Sequence, residues 1–356
     1  MPTRRELLFG PVALPLAALS QEAPNPRIVV ETFEVVAPVT VTDAQGQYVN
    51  GLEAKDFILY DMDKSQEIRM DVSFIPISLV VAIQANDAVE PVLPAIKKLG
   101  PLLEDLVIGQ AGEAAILKFD HRIKEITNGF TSDGKLFTKA LASINPGSST
   151  SAMIDTVFEA TRLLRNRPAH QRRILLLIAE TQDKGSEGRL REALLSAQIN
   201  NIIVYSININ RFITTISKKM PPPRLDPLPP GARPVPPGAP LTPNTTDALT
   251  GYQGAAGNVV PLFIELFKQV KGIFIPNPLE VFTQYTGGRE YSFINQRTLE
   301  EVVSRLGEEL HSQYLLSYRP NTQDLGGWHD IRVVVARPNL KVRTRPGYWM
   351  ASRPNG

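Results

Sequence analysis

Pro76–Asn86 reads PISLVVAIQAN. It is a short, nearly unbroken run of Val, Ile and Leu that ends in small polar side chains. A run of this length and composition is a strand buried on both faces, the kind found in a parallel sheet. In open α/β sheets ligands sit just beyond the carboxyl ends of such strands. Gln84, Asn86, Asp87 and Ala88 therefore occupy the place where function is expected.

The rhythm around this run sets the fold class. Downstream, apolar strand candidates at Glu113–Phe119, Arg122–Ile126, Arg173–Ala179 and Ile202–Ile207 alternate with amphipathic stretches at Val89–Val107, Lys135–Ile144, Ser151–Arg165 and Ser186–Asn200. Strand–helix alternation predicts an α/β fold with a doubly wound, mostly parallel sheet, and right-handed crossovers put helices on both of its faces. Upstream, Arg27–Asp43 (RIVVETFEVVAPVTVTD) alternates β-branched and polar residues, and Leu52–Asp61 and Ser65–Phe74 read as further strands. Such half-buried alternation fits a small sandwich-like β-module.

Beyond the sheet, Pro221–Pro243 is roughly half proline and reads as extended surface chain; it lies in an insertion spanning 220–258. Helical spacing returns at Val259–Val270, around Pro278–Tyr285 and at Thr298–Ser312, where Leu299, Val302, Val303, Leu306 and Leu310 share a face. The end is β again, at Gln313–Tyr318, Trp328–Val335 and Leu340–Arg343. The expected organisation is a leader over 1–20, an N-terminal β-module over 21–75, an α/β domain over 76–295, and a segment 296–356 whose helix and strands join the N-terminal module.

Composition narrows the function classes. Of 356 residues 43% are hydrophobic, ample for a core. A net charge of +2 directs no strong field at nucleic acid or membrane. There is no Cys, so a Cys nucleophile, a Cys–zinc site and disulfides are all excluded. The four His, at 121, 170, 311 and 329, do not fall at metal-ligand spacing. The N-terminus has a basic start at Met1–Arg5 and an apolar run at Leu7–Leu19. Ala18-Leu19-Ser20 then supplies small residues for cleavage before Gln21, which is the pattern of an export leader. Thr3–Leu8 loosely resembles a twin-arginine signal. No other stretch approaches the ~20 apolar residues of a membrane span. The expected product is exported, periplasmic or extracellular, without a membrane span.

Several fragments, weak singly, resemble one family in order and spacing. Val39–Asp43, Gly51-Leu52, Asp56-Phe57 and Tyr60-Asp61 come first. Pro76-Ile77-Ser78, Phe119-Asp120 and Phe130–Asp133 follow, then Thr286-Gly287-Gly288, Ser312-Gln313-Tyr314, Ser317–Pro320 and Arg343–Tyr348. On these residues the chain resembles the von Willebrand factor A-domain-related proteins of the acidobacterial-type family, over nearly the whole mature chain. The resemblance implies a metal-ion-dependent adhesion site: Asp-x-Ser-x-Ser after the first sheet strand, a Thr from a second loop and an Asp from a third. Those positions fall here on Gln84, Asn86, Ala88, Ser151 and Glu180, with Asp87 and Asp183 as neighbouring substitutes. Only Glu180 among the five is charged. Mg²⁺ dehydrates reluctantly and is held through one or two carboxylates, so this set implies no cofactor beyond weak Mg²⁺ or Ca²⁺ binding.

The residues themselves also allow plainer roles: Gln84 and Asn86 as strand-end polar residues, Ser151 as a helix N-cap, and Asp120-His121 as a turn rather than a catalytic pair. The expected function is non-catalytic protein–protein binding, with Gln84, Asn86, Asp87, Ala88, Ser151, Glu180 and Asp183 lining the binding face. The alternatives are an envelope assembly role carried by the β-modules, or a hydrolase. The hydrolase lacks G-x-S-x-G and a credible metal cluster.

Overall fold

The computed structural model describes residues 34–71, 75–105, 111–168, 170–213, 277–321 and 327–350. The leader, the proline-rich insertion and the expected helix at Val259–Val270 lie outside the described residues.

The run quoted above forms β5 (Ile77–Gln84), and all eight of its residues are buried. Its side chains alternate between two cores, as a strand's period of two requires. Leu79, Val81 and Ile83 face one side with α1 (Leu93–Lys97), α2 (Gly100–Leu103), α3 (Gly134–Ala142) and α7 (Gln296–Ser312). Val80 and Ala82 face the other with α4 (Met153–Arg165), α5 (Leu190–Ile199) and α6 (Pro278–Thr286). Each fully buried Val, Leu or Ile is worth about 1.5–3 kcal/mol, so this strand anchors both layers.

The other strands of this sheet are β6 (Glu113–Phe119), β7 (Ile123–Glu125), β8 (Arg172–Ala179), β9 (Ile202–Asn208) and β10 (Glu290–Ser292). The spatial order is β10-β9-β8-β5-β6-β7. All neighbours run parallel except the edge pair β6–β7. The chain leaves β5 toward β6 and β7, then crosses back to β8 on the other side. The order reverses between β5 and β8, and that is the topological switch point of a doubly wound sheet.

The two ends of the chain pair with each other. Strands β1 (Val35–Thr42), β4 (Ile68–Asp71), β11 (Tyr314–Tyr318) and β13 (Lys341–Arg343) form one antiparallel sheet, in the order β13-β1-β11-β4. Strands β2 (Phe57–Asp61), β3 (Lys64–Ser65), β12 (Gly327–Val335) and β14 (Gly347–Met350) form a second, in the order β14-β12-β2-β3. N-terminal strands are hydrogen-bonded to C-terminal ones in both sheets, so this additional β-module is built from the two ends of the chain. Asp61, fully buried on β2, accepts from Tyr318 Oη at 2.9 Å and Tyr348 Oη at 2.7 Å, and its other oxygen meets His329 Nδ1 at 2.9 Å. Tyr318 belongs to the first sheet, so this carboxylate links the two sheets.

A second buried carboxylate joins the module to the α/β layers. Glu309 on α7 is fully buried and ion-paired to Arg343 of β13, with Arg289 Nη1 at 3.5 Å. Tyr291 Oη donates to it at 3.1 Å and Tyr48 Oη at 3.4 Å. Arg343 also donates to the carbonyls of Gly287 and Gly288. The Thr286-Gly287-Gly288 motif has a physical cause here. Gly287 ends α6 in the left-handed region at φ +86°, and a Cβ on Gly288 would collide with the Val204 carbonyl.

Two helix starts need correction. The stretch from Val89, which carries Pro91 and Pro94 near its start and an expected break at Gly100-Pro101, forms a 3-10 turn at Asp87–Val92 followed by the separate α1 and α2, because Pro91, Pro94 and Pro101 each remove an amide donor. The helix expected from Ser151 begins at Met153, and the one expected from Ser186 begins at Leu190. In both cases the missing turn is a loop held by side chains of the candidate site. Strand β14 is not among the expected strands; it is four residues long and pairs with β12, with β13 between them in the chain.

Candidate functional site

Three loops meet at the carboxyl edge of β5 and β8, and backbone bonds hold them together. Gly147 N–H donates to Ala85 O at 2.6 Å, and Asp87 N–H donates to Ser148 O at 3.1 Å. Lys184 and Gly185 N–H donate to Ser151 O at 3.2 and 2.9 Å. The first loop follows β5, the second runs from 145 to 152, and the third follows β8.

Gln84 sits at the centre. It is fully buried on the last position of β5. Its Oε1 accepts the backbone N–H of Glu180 at 2.8 Å. That fixes the amide's orientation, since a backbone N–H can only donate. Its Nε2 then donates to Glu180 Oε2 at 3.1 Å and to Asn86 Oδ1 at 3.0 Å. Asn86 passes the chain on, its Nδ2 donating to Ser149 O at 3.4 Å. One continuous side-chain network thus links all three loops, and both of Gln84's amide hydrogens are used.

The remaining expected residues divide. Asp87 and Ala88 are exposed, in the 3-10 turn after β5. Glu180 and Asp183 are half-buried. Gln84, Asn86 and Ser151 are buried, so they support the face from beneath rather than line it. Ser151 is not the N-cap of α4. That position is Ala152, and Ser151 Oγ donates to Gln182 O at 3.2 Å.

The cap comes from the third loop. Asp183 Oδ2 accepts the Ile154 N–H of α4 at 2.8 Å and Ser186 Oγ–H at 2.7 Å, while Oδ1 accepts the N–H groups of Gly185 and Ser186. Asp155, in the first turn of α4, returns the contact by accepting the N–H groups of Glu187 and Gly188 at 2.9 and 2.8 Å. These bonds consume the amides of 185–188, which is why α5 starts late. Asp183 is engaged on α4 and is not placed as a substitute ligand beside Glu180.

Asp120, at the end of β6, organises the second loop. Its Oδ1 accepts Arg122 N–H at 2.7 Å and its Oδ2 accepts Ser148 N–H at 3.0 Å. A Cβ on Gly147 would collide with that second oxygen. Burial pushes the Asp120 carboxyl up, but the two backbone N–H groups and the charges of His121 and Lys118 outweigh it and hold it below the usual carboxylate range. His121 Nδ1 lies 2.5 Å from Ser148 Oγ and 3.2 Å from Asp120 Oδ1. A Ser-His-Asp relay needs the acid and the hydroxyl on opposite ring nitrogens. Here both meet Nδ1, so the three residues form a turn contact.

The donor set does not fit a resident Mg²⁺. A hard cation needs oxygens converging on it. Glu180 Oε2 and Asn86 Oδ1 do converge, but on the Nε2 of Gln84. Among the described residues no group of three His, Asp or Glu side chains is arranged to hold a metal ion.

Beside Glu180 the edge opens into a cleft of about 170 Å³ lined by Glu180, Gln182, Asn210 and Ile213. Asn210 lies two residues past β9, where the strand-end rule that points to Gln84 applies equally. Its Nδ2 donates to Thr181 Oγ1 at 2.8 Å. A larger open groove of about 830 Å³ runs along α7, lined by side chains of both signs including Lys98, Asp105, Arg297 and Glu301. It lacks the convergent loops of the β5–β8 edge, and Arg297 and Glu301 pair with each other at 3.5 Å. Among the described residues no helix is long and apolar enough to cross a membrane.

No protein-family model matches the chain, and no curated protein sequence matches it. Solved structures do. BatB from Bacteroides thetaiotaomicron, described as a conserved hypothetical protein, matches 64% of this chain and 96% of its own at 16% identity, with a TM-score of 0.39. An aerotolerance-related membrane protein from Bacteroides fragilis matches 64% of this chain and 97% of its own at 14% identity, with a TM-score of 0.38. The SpRpn10 VWA domain matches 38% of this chain and 75% of its own at 14% identity, with a TM-score of 0.33.

Proposed function

We propose that this chain is an exported, non-catalytic binding protein of the von Willebrand factor A type, belonging to the acidobacterial-type related family. It contacts a partner protein through the loops at the carboxyl edge of β5 and β8, and it does so without a divalent cation. The observation that carries this reading is the Gln84 amide, which bridges Glu180 and Asn86 at the switch point of the sheet. The switch point is where a doubly wound sheet receives its ligand. There the amide supplies the cross-link between loops that a cation supplies in an adhesion site. Export rests on the leader pattern of residues 1–20. The absence of catalysis is supported by the His121 contacts, which converge on one ring nitrogen.

A second reading, an assembly role carried by the β-module, draws on one observation. Ile58 and Val334 are direct cross-strand partners on the outer face of β2 and β12, and both are more than a third exposed. Capture of partners from the envelope fraction of the source organism separates the two readings. The edge reading predicts capture that survives a chelator, is lost with Ala88→Arg and is kept with Val334→Lys. Loss of capture with chelator, or the reverse response to the two substitutions, overturns it.

A further inference from the structure

An adhesion site with a cation is electrophilic and takes an acidic group of its partner. The edge described here has the opposite polarity. Gln84 Nε2 fills the bridging position from below and uses both its hydrogens within the protein. What remains toward the cleft is the carboxylate of Glu180, held from behind by one bond from the buried Gln84 amide, which also accepts the Glu180 backbone N–H. Among the described residues it is the only charged side chain in the lining. Gln182 and Asn210 supply amide walls and Ile213 an apolar one.

We infer that this cleft receives a cationic side chain, arginine or lysine, of a partner protein. The inference rests on the edge-binding reading and specifies its ligand. Three features of the cleft match that chemistry. A carboxylate already fixed in position gives a charge-assisted hydrogen bond at little ordering cost. An apolar wall suits the methylene stem that Lys and Arg lay along hydrophobic surface. The exposed Gln182 amide offers a carbonyl oxygen to the further N–H groups that a guanidinium carries. An acidic partner group would instead meet the Glu180 carboxylate with no cation between them.

The test is an amide-detected NMR titration of the full chain with acetyl-Gly-Arg-Gly-amide, its lysine counterpart, its neutral citrulline isostere and its glutamate counterpart. Saturable shifts at Glu180, Gln182 and Asn210 are expected with the arginine and lysine probes. The citrulline probe is expected to bind roughly tenfold more weakly, the glutamate probe not at all, and Glu180→Gln to abolish the difference between arginine and citrulline. Glu180→Gln keeps an acceptor for Gln84, and an unchanged melting temperature verifies its fold. Equal binding of arginine and citrulline, preference for glutamate, or no saturable shift overturns the inference. So does binding of the arginine probe only after Arg224→Gln and Arg233→Gln, which would make the chain's own insertion the occupant. If the probes fail while Ala88→Arg still abolishes partner capture, the edge reading stands and this inference falls. If the arginine probe binds while capture survives Ala88→Arg, the cleft assignment stands and the edge reading falls.

Discussion

Gln84 and Glu180, 96 residues apart in the chain, are joined by two hydrogen bonds through one side-chain amide: Oε1 accepts the Glu180 N–H at 2.8 Å and Nε2 donates to the Glu180 carboxylate at 3.1 Å. The pair ties β5 to β8 across the switch point. Where the family resemblance implies an aspartate holding a cation, the chain has a neutral group that is donor and acceptor at once.

Removing that amide leaves polar groups without partners. Gln84→Leu strands the Glu180 N–H, one carboxylate oxygen and Asn86 Oδ1 in a buried setting. Each unsatisfied group costs about 1–3 kcal/mol, with partial relief from water at the half-buried Glu180. A loss of about 2–4 kcal/mol in urea denaturation is expected. A loss under 0.5 kcal/mol would show that the network is not rigidly formed.

Charge at the same position creates what the native residue excludes. Gln84→Asp places a second carboxylate beside Glu180, and like charges at short range destabilise the fold at neutral pH. Added Mg²⁺ relieves that repulsion, so the variant's melting temperature is expected to rise with Mg²⁺ concentration while the native protein's stays level. A variant that ignores Mg²⁺ would mean the loops no longer approach a cation-binding geometry.

Asp183 caps α4 from a distant loop. Asp183→Ala is expected to cost about 1–2 kcal/mol, the usual range for an N-cap, and to speed amide exchange at Ile154 and at Gly185–Gly188 together. Faster exchange at Ile154 alone would show that the third loop is held by other contacts.

Acid acts on the second loop through Asp120. Its carboxyl lies below the usual range in the folded protein, so the folded state binds the proton less readily than the unfolded one. Its contribution is full above the unfolded-state value near pH 4 and is lost as pH falls through the folded value. Exchange at the Ser148 amide is therefore expected to accelerate below about pH 4, with that step absent in Asp120→Asn. An identical acid profile in the variant would remove Asp120 as the cause.

The joint between sheet and β-module depends on Glu309. Arg343→Ala leaves this fully buried carboxylate with Arg289 and two tyrosine hydroxyls. Breaking a buried pair by removing one partner costs about 3–5 kcal/mol. Arg289 offsets part of that, so about 2–4 kcal/mol is expected in thermal or urea unfolding. Glu309→Gln, which keeps shape and acceptor but no charge, is expected to cost less than Arg343→Ala; the reverse order would contradict the pairing.

Much of the fold could be read from local pattern. The apolar run Leu79–Ile83 carries no polar interruption because both its faces are buried, and the helical spacing from Met153 to Leu164 reflects one face against the sheet. Helices α4 and α5 start later than the local pattern suggests because the groups that cap them are not local. Asp183 satisfies an amide at Ile154, and Asp155 reaches forward to Gly188, contacts that no window of sequence displays. The site was legible by position and not by role. The strand-end rule pointed to Gln84 and Asn86 and the family resemblance to Glu180, yet the burial of Gln84 and Asn86 and the direction of the amide depend on pairing between residues 96 positions apart. Asp120 shows both sides: its bond to Arg122 is a local turn readable from the sequence, while its bond to Ser148 is not.

The central claim is that the edge works with an amide in place of a cation. Isothermal titration calorimetry of the full chain with Mg²⁺, Mn²⁺ and Ca²⁺ tests it most directly. The account predicts no saturable heat at micromolar to low-millimolar metal and no change in melting temperature with chelator. Tight, saturable binding of any of the three that disappears with Glu180→Ala would contradict it.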